Sequence, residues 1–213
     1  MKNILGKLTL FAFFAIVFAG LNGCGGSSEQ QNVGSSNSAA GNESNSSPQA
    51  ANTAASKNAT TYPPLSSKLA DARIELSDTT KTTVAERKGN VVLMNLWGVW
   101  CAPCRNEMPH LVEIQNQYRD KGFQILGLNV GNEDMEPESF EVMKKFGEEM
   151  GLNYELGRIS TETGEEYARV SQFAGVPLSV LVDREGRMRG VFRGGGRAEI
   201  NEMKKLVEKV VNE

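Results

Sequence analysis

The chain has 213 residues, a formal charge of −3 and 39% hydrophobic residues, enough for one packed domain once targeting and linker segments are set aside. With 23 Lys and Arg against 26 Asp and Glu, no basic face dominates. That argues against a nucleic-acid partner held through its phosphates and leaves a small molecule or a protein.

Residues 1–23 read as a signal peptide. Lys2 and Lys7 supply the positive end, and Leu8 to Leu21 supply an apolar run broken only by Thr9 and Gly20. The run is short against the roughly 20 residues of a membrane span. Its end, Leu21-Asn22-Gly23-Cys24, resembles the lipobox of bacterial lipoproteins, which implies cleavage before Cys24 and a lipid on its sulfur. Asn22 is less usual there than a small apolar residue; the other readings are a secreted protein with an unmodified Cys24 and an uncleaved anchor. A lipidated Cys24 cannot pair, so Cys101 and Cys104 are then the remaining thiols and no structural disulfide framework is expected.

Residues 24–61 carry that cysteine and then Gly, Ser, Asn, Gln and Ala without hydrophobic periodicity. Such a segment cannot bury enough surface to offset its ordering entropy and is expected to be a disordered tether. As a Gly/Ser-type coil it would reach roughly 30 to 35 Å.

The folded domain is expected over 62–213, opening at Tyr62-Pro63-Pro64. Ala72 to Leu76 alternates like a short strand, and Thr82-Thr83-Val84 can pair with it across Ser77 to Thr80. Lys88-Gly89-Asn90 turns the chain into Val91 to Trp97, apolar almost throughout, as a central strand is. The stretch Trp97-Gly98-Val99-Trp100-Cys101-Ala102-Pro103-Cys104 follows. Two cysteines two residues apart at a strand-to-helix junction can close a small disulfide ring or hold a metal, and the helix start favours the first thiolate. A closed zinc site needs two more ligands and the one histidine is His110, so redox chemistry is the reading taken and no metal or other cofactor is expected.

Met108, Leu111, Val112, Gln115 and Tyr118 recur at helical spacing and predict a helix from about Ala102 to Asp120, with Pro103 in its first turn and Pro109 kinking its interior. Phe123 to Val130 reads as the next strand, parallel to the first by its strand–helix–strand order. Asn132 to Glu136 is acidic without a calcium-loop pattern and reads as a solvated loop and N-cap. Pro137 to Met150 reads as a helix, Tyr154 to Leu156 as a short strand and Thr163 to Phe173 as a further helix. Leu178 to Val182 and Arg187 to Arg193 form a hairpin about Asp183 to Gly186, and Ile200, Met203, Leu206, Val207 and Val210 mark a last helix. The sum is an α/β fold, a mixed parallel and antiparallel sheet with helices on both faces.

A C-x-x-C between strand and helix, with Val176-Pro177 before a distant hairpin, resembles the thioredoxin fold. The longer string Trp100-Cys101-Ala102-Pro103-Cys104-Arg105-x-Glu107-x-Pro109-x-Leu111 resembles the membrane-tethered extracytoplasmic thiol-disulfide oxidoreductases of the TlpA/ResA type, within the AhpC/TSA-redoxin superfamily. The resemblance runs from about Leu65 to the C-terminus. It implies a thioredoxin-like fold with an N-terminal β-hairpin and a helix–strand insert between Val130 and Leu156. It further implies that Cys101 is the exposed attacking thiol and Cys104 the shielded resolving one, their disulfide being the only redox group. Pro177 would be a cis-proline against the pair, Val176 would offer backbone groups to an extended substrate, and Trp100 would form part of the docking rim. Ala102 and Pro103 would tune the redox poise, and Glu107 would tune the thiols and carry protons, against a plainer reading as a solvated helix carboxylate. Trp97 reads as core, and Arg105 and His110 as solvated.

Two positions depart from the pattern: Leu178 stands where the family most often has Thr, and Asn95 stands where thioredoxin has a buried aspartate. The partners implied are protein thiols and disulfides outside the cytoplasm, a membrane electron donor and the membrane itself through the lipid, with the protein a monomer. Reduction of disulfides during cytochrome c maturation is one expected use. A thiol peroxidase is the alternative enzyme, though Gly98 and Met94 stand where its Thr and Pro would be. A non-catalytic envelope-binding module is the alternative outside catalysis.

Overall fold

The computed structural model describes residues 62–134 and 136–213; the expected signal peptide, the lipidated Cys24 and the tether lie outside the described residues. Seven strands form one mixed sheet: β1 (Ile74–Leu76), β2 (Lys81–Thr82), β3 (Val91–Trp97), β4 (Phe123–Asn129), β5 (Glu155–Arg158), β6 (Leu178–Val182) and β7 (Met188–Arg193). Their order across the sheet is β2-β1-β5-β4-β3-β6-β7. Strands β3, β4 and β5 run parallel, and the other pairings are antiparallel. Among the described residues five α-helices accompany them: α1 (Ser67–Ala70), α2 (Ala102–Tyr118), α3 (Phe140–Glu149), α4 (Thr161–Ser171) and α5 (Arg197–Val211).

The period-2 alternation of the central strands divides the core. Val92, Met94 and Leu96 of β3 share one face with Leu126, Leu128, Leu178 and Val180, where Leu69 of α1 and Tyr167 of α4 pack on them. Val91 and Leu93 share the opposite face with Ile125 and Leu181, covered by Leu111 and Ile114 of α2 and Met203 and Val207 of α5. Every residue of β3 is buried, so its largely apolar run is what a strand covered on both faces requires. Full burial of one such aliphatic side chain stabilises the fold by about 1.5 to 3 kcal/mol relative to exposure.

The expected hairpin is β1 with β2, in register Ile74 to Thr82. The expected insert is α3 with β5, which adds a strand to the edge of β4 and gives β1 its place beyond it. Element boundaries differ from the sequence reading where a serine caps a helix. Ser139 Oγ accepts the Val142 amide, so α3 begins at Phe140 and not at Pro137; Ser160 Oγ accepts the Thr163 amide, so α4 begins at Thr161 and not at Thr163. Helix α2 ends at Tyr118, and a 3-10 turn over Arg119–Lys121 closes on Gly122, whose φ of 73° is left-handed. Helix α1 and a 3-10 turn at Ala85–Arg87 are too short to carry a periodic signal.

Candidate active site

Strand β3 stops at Trp97, and Gly98-Val99-Trp100 carries the chain to α2. A Cβ on Gly98 would lie 2.7 Å from Trp100 Nε1 and Cε2, so only glycine lets the indole fold back there. Trp100 keeps 42% of its surface exposed while its Nε1 donates to the Gly131 carbonyl at 3.0 Å. Cys101 is the N-cap of α2, its Sγ accepting the Cys104 amide at 3.1 Å, and Pro103 sits in the first turn, where no helical amide is lost.

Cys101 and Cys104 are joined as a disulfide, Cα to Cα 5.3 Å. The expectation that Cys101 is exposed is not met in this oxidised state: both cysteines are 2% exposed. The reason is local. Cys101 turns its sulfur into the helix start, and the pair belongs to an apolar cluster with Trp97, Met108, Phe146 and Val176. Ala102 and Pro103, between them, are exposed.

The Val176–Pro177 bond is cis, as the resemblance implies. The Pro177 carbonyl accepts the Gly194 amide at 2.8 Å, which seats the loop after β7 beside the proline. The next residue, Gly195, comes so close that a Cβ there would lie 2.7 Å from the Pro103 carbonyl oxygen and 3.4 Å from Pro177 Cγ. Gly195 thus brings the start of α2 and the cis-proline together, a role without any local sequence signal. Beside them, Leu96, Trp100, Val130, Ile159, Phe173 and Val176 line a mainly apolar groove of about 290 Å³, so Trp100 and Val176 border one surface. Leu178, the departure after the proline, is buried in the core on the α4 face.

Glu107 is not a solvated carboxylate. It is 2% exposed, in the second turn of α2, and its Oε1 accepts Asn95 Nδ2 at 2.8 Å. The same Asn95 amide donates to Ser179 Oγ at 3.0 Å. Burial pushes the Glu107 carboxyl up to about 7, against the lowering pull of the Asn95 and Ser179 hydrogen bonds. A sequence signal for this was present. Residues 104, 107, 108, 111, 114, 115 and 118 are the buried face of α2, and Glu107 falls on that stripe, three residues from Cys104 and four from Leu111.

Trp97 is core, as read, and stacks on Phe146 with ring centroids 5.0 Å apart. Arg105 is exposed but engaged, donating from Nε and Nη2 to the Val99 carbonyl and lying 5.1 Å above the Phe146 ring. His110 is half-buried and not simply exposed, with Lys204 Nζ at 3.3 Å and Glu113 at 3.5 Å.

The Redoxin family profile matches residues 50–207. The chain belongs to the Redoxin family. It is 29% identical over 122 residues to the thiol-disulfide oxidoreductase ResA of Bacillus subtilis, covering 57% of this chain and 59% of that protein. It is also 29% identical over 108 residues to ResA of Bacillus anthracis, 51% of this chain and 57% of that protein. The match thus spans just under three fifths of the length of these curated relatives. Among solved structures, a thiol:disulfide interchange protein from Bacteroides sp. superposes with a TM-score of 0.54 at 26% identity, covering 67% of this chain and 86% of that one. The fold of this Redoxin-family chain is accordingly thioredoxin-like.

Proposed function

We propose that this Redoxin-family protein is an extracytoplasmic thiol-disulfide oxidoreductase, held to a membrane by a lipid on Cys24, that reduces disulfides of other proteins. The observation that carries the reading is the Cys101–Cys104 disulfide at the start of α2, with a buried, protonatable Glu107 one turn beyond.

In the reduced protein the helix start favours the Cys101 thiolate. That thiolate attacks one sulfur of a substrate disulfide, the substrate S–S bond breaks, and one substrate thiolate leaves as the mixed disulfide forms. Cys104 gives up its proton and attacks the Cys101 sulfur; the mixed disulfide breaks, the second substrate thiolate leaves, and the Cys101–Cys104 bond closes. The substrate gains two electrons and the protein loses two, to be restored by a membrane electron donor. A carboxyl poised at about 7 is suited to take the Cys104 proton and return it to the leaving thiolate. Trp100 and Val176 border the groove in which an extended, partly apolar substrate segment lies, and Ala102 and Pro103 shape the helix start that sets the poise of the pair.

Apocytochrome c disulfides are the proposed class of substrate, and the protein acts as a monomer. The test is trapping in cells with Cys104→Ser. The reading predicts that Cys101-linked mixed disulfides with envelope proteins accumulate, and that Cys101→Ser removes them. Absence of such adducts, together with full rescue of a deletion strain by a double Cys-to-Ser protein, contradicts it in favour of a binding module.

A further inference from the structure

Helix α4 ends in a buried carbonyl that the helix itself leaves without a donor. Ser171 is its last residue and is fully buried, and the final carbonyls of a helix have no intrahelical partner. Gln172 then takes a left-handed φ of 54°. A glutamine keeps that conformation at a cost and only where its surroundings fix it.

The missing donors come from Arg193, the last residue of β7. Its guanidinium donates to the Ser171 carbonyl from Nε at 2.9 Å and from Nη2 at 2.6 Å, and a charged donor makes each such bond a strong one. The Arg193 backbone is fixed in turn. It is the register partner of Leu178, and its amide donates to Glu199 Oε1 at 2.8 Å; the next amide, of Gly194, donates to the Pro177 carbonyl. Arg193 therefore holds both ends of the segment that joins α4 to β6, Ser171 by its side chain and Leu178 by its place in the sheet. Inside the segment, the Ser171 hydroxyl accepts the Phe173 amide at 3.2 Å and donates to the Phe173 carbonyl at 3.2 Å. The Phe173 ring folds over Gly175, where a Cβ would lie 3.0 Å from Cζ.

Residues 173–176 and Leu178 line the apolar groove that Trp100 also borders, and Arg193 is not among the lining residues. Trp100 has its own anchor in the Gly131 carbonyl. We propose that Arg193 is a positioning residue for substrate recognition: by clamping the Ser171 carbonyl it fixes residues 172–177 in the conformation that presents Val176 to an extended, partly apolar substrate. A wall held in place beforehand lowers the ordering cost of binding. The thiol chemistry does not use the clamp, so its loss is felt in binding and not in turnover. The inference rests on the reading of the groove as the substrate site.

The test uses the full chain with its cysteines reduced and two disulfides. One is a peptide whose single intramolecular disulfide is flanked by apolar residues; the other is 2-hydroxyethyl disulfide, which has no chain to lay in the groove. Arg193→Met keeps an aliphatic stem and removes the fork. The proposal predicts that KM for the peptide rises roughly fivefold with kcat unchanged, while 2-hydroxyethyl disulfide reacts at the wild-type rate. In the same variant the Phe173 amide, bonded to the Ala168 carbonyl at 3.1 Å, exchanges with deuterium roughly tenfold faster, the β3 amides do not change and near-UV dichroism is retained. Arg193→Lys keeps one charged donor for the carbonyl and recovers most of the KM. An unchanged peptide KM in Arg193→Met, equal losses with both disulfides, or a lysine variant as impaired as the methionine one overturns the proposal. A wild-type protein that treats the two disulfides alike overturns it together with the groove reading, which sets that failure apart from failure of the clamp alone.

Discussion

The Asn95 side-chain amide donates to Glu107 Oε1 across 2.8 Å, and its second bond, to Ser179 Oγ across 3.0 Å, ties the active-site helix to β6. Asn95 stands where the resemblance to thioredoxin leads one to expect a buried acid, and the buried acid bonded to it here is Glu107, on the helix above the strand. The amide can serve the carboxyl in either protonation state, because it donates and does not titrate.

That placement makes stability depend on pH in a definite direction. The Glu107 carboxyl is raised from 4.5 to about 7, so between these values the folded protein keeps a proton that the unfolded chain has released. The contribution is fully present below pH 4.5, falls as pH rises, and is gone above about 7. Glu107→Gln removes this dependence. Urea unfolding of the oxidised protein between pH 4.5 and 8 is expected to show the variant gaining on the wild type by on the order of 3 kcal/mol across that window. Parallel curves for the two proteins would falsify the assignment of a raised carboxyl.

Gly195→Ala puts a methyl group 2.7 Å from the Pro103 carbonyl oxygen, a backbone atom that cannot swing aside. The loop after β7 must retreat from the cysteine helix. The expected cost is about 1 to 3 kcal/mol in urea unfolding, together with slower disulfide exchange. Gly196→Ala, where a Cβ meets nothing within 4 Å, is the control expected to leave exchange unchanged.

Much of this was legible from the sequence, and what was not has a common cause. The order of strands and helices follows from periodicity, and the Cys-x-x-Cys and Val-Pro pairs announce the two sides of the site. Glu107 could have been placed on the buried face of α2 by its spacing from Cys104 and Leu111. Ser179 and Gly195 could not, because each reaches the site through contacts between segments far apart in sequence. Ser179 arrives through the β3–β6 register and Gly195 through a turn anchored on Pro177. The burial of Cys101 likewise depends on packing with Phe146 and Val176, which are distant in sequence. Of the helix starts, Ser139 and Ser160 show that an N-cap was a better guide than the first apolar residue.

Arg189 closes the far end of the domain. Its side chain is 4% exposed, pairs with Glu213 at 2.6 Å and Asp183 at 3.4 Å, and lies 4.1 Å from the Tyr62 ring centroid. Arg189→Met leaves Asp183 without that charge and frees the C-terminal residue. A loss of about 1 to 3 kcal/mol is expected in urea, with the Cys101–Cys104 exchange rate unaltered. An unchanged unfolding midpoint would show that the pairs contribute nothing.

Trp100 is expected to matter for substrate and not for folding. It is 42% exposed and borders the groove beside Val176. Trp100→Ala should shift the unfolding midpoint little. It should raise KM for a protein disulfide several-fold while exchange with a small thiol reagent stays near wild type. Equal losses with both substrates would place its role in the chemistry of the pair.

The central claim is that Cys101 and Cys104 cycle in the reductive direction. It is tested most directly by equilibrating the purified protein with thiol–disulfide buffers of known potential and reading the oxidised fraction by mass after alkylation. The account predicts a single two-electron transition near that of thioredoxin, about −270 mV. A transition near that of a strong oxidant such as DsbA, about −120 mV, would contradict it.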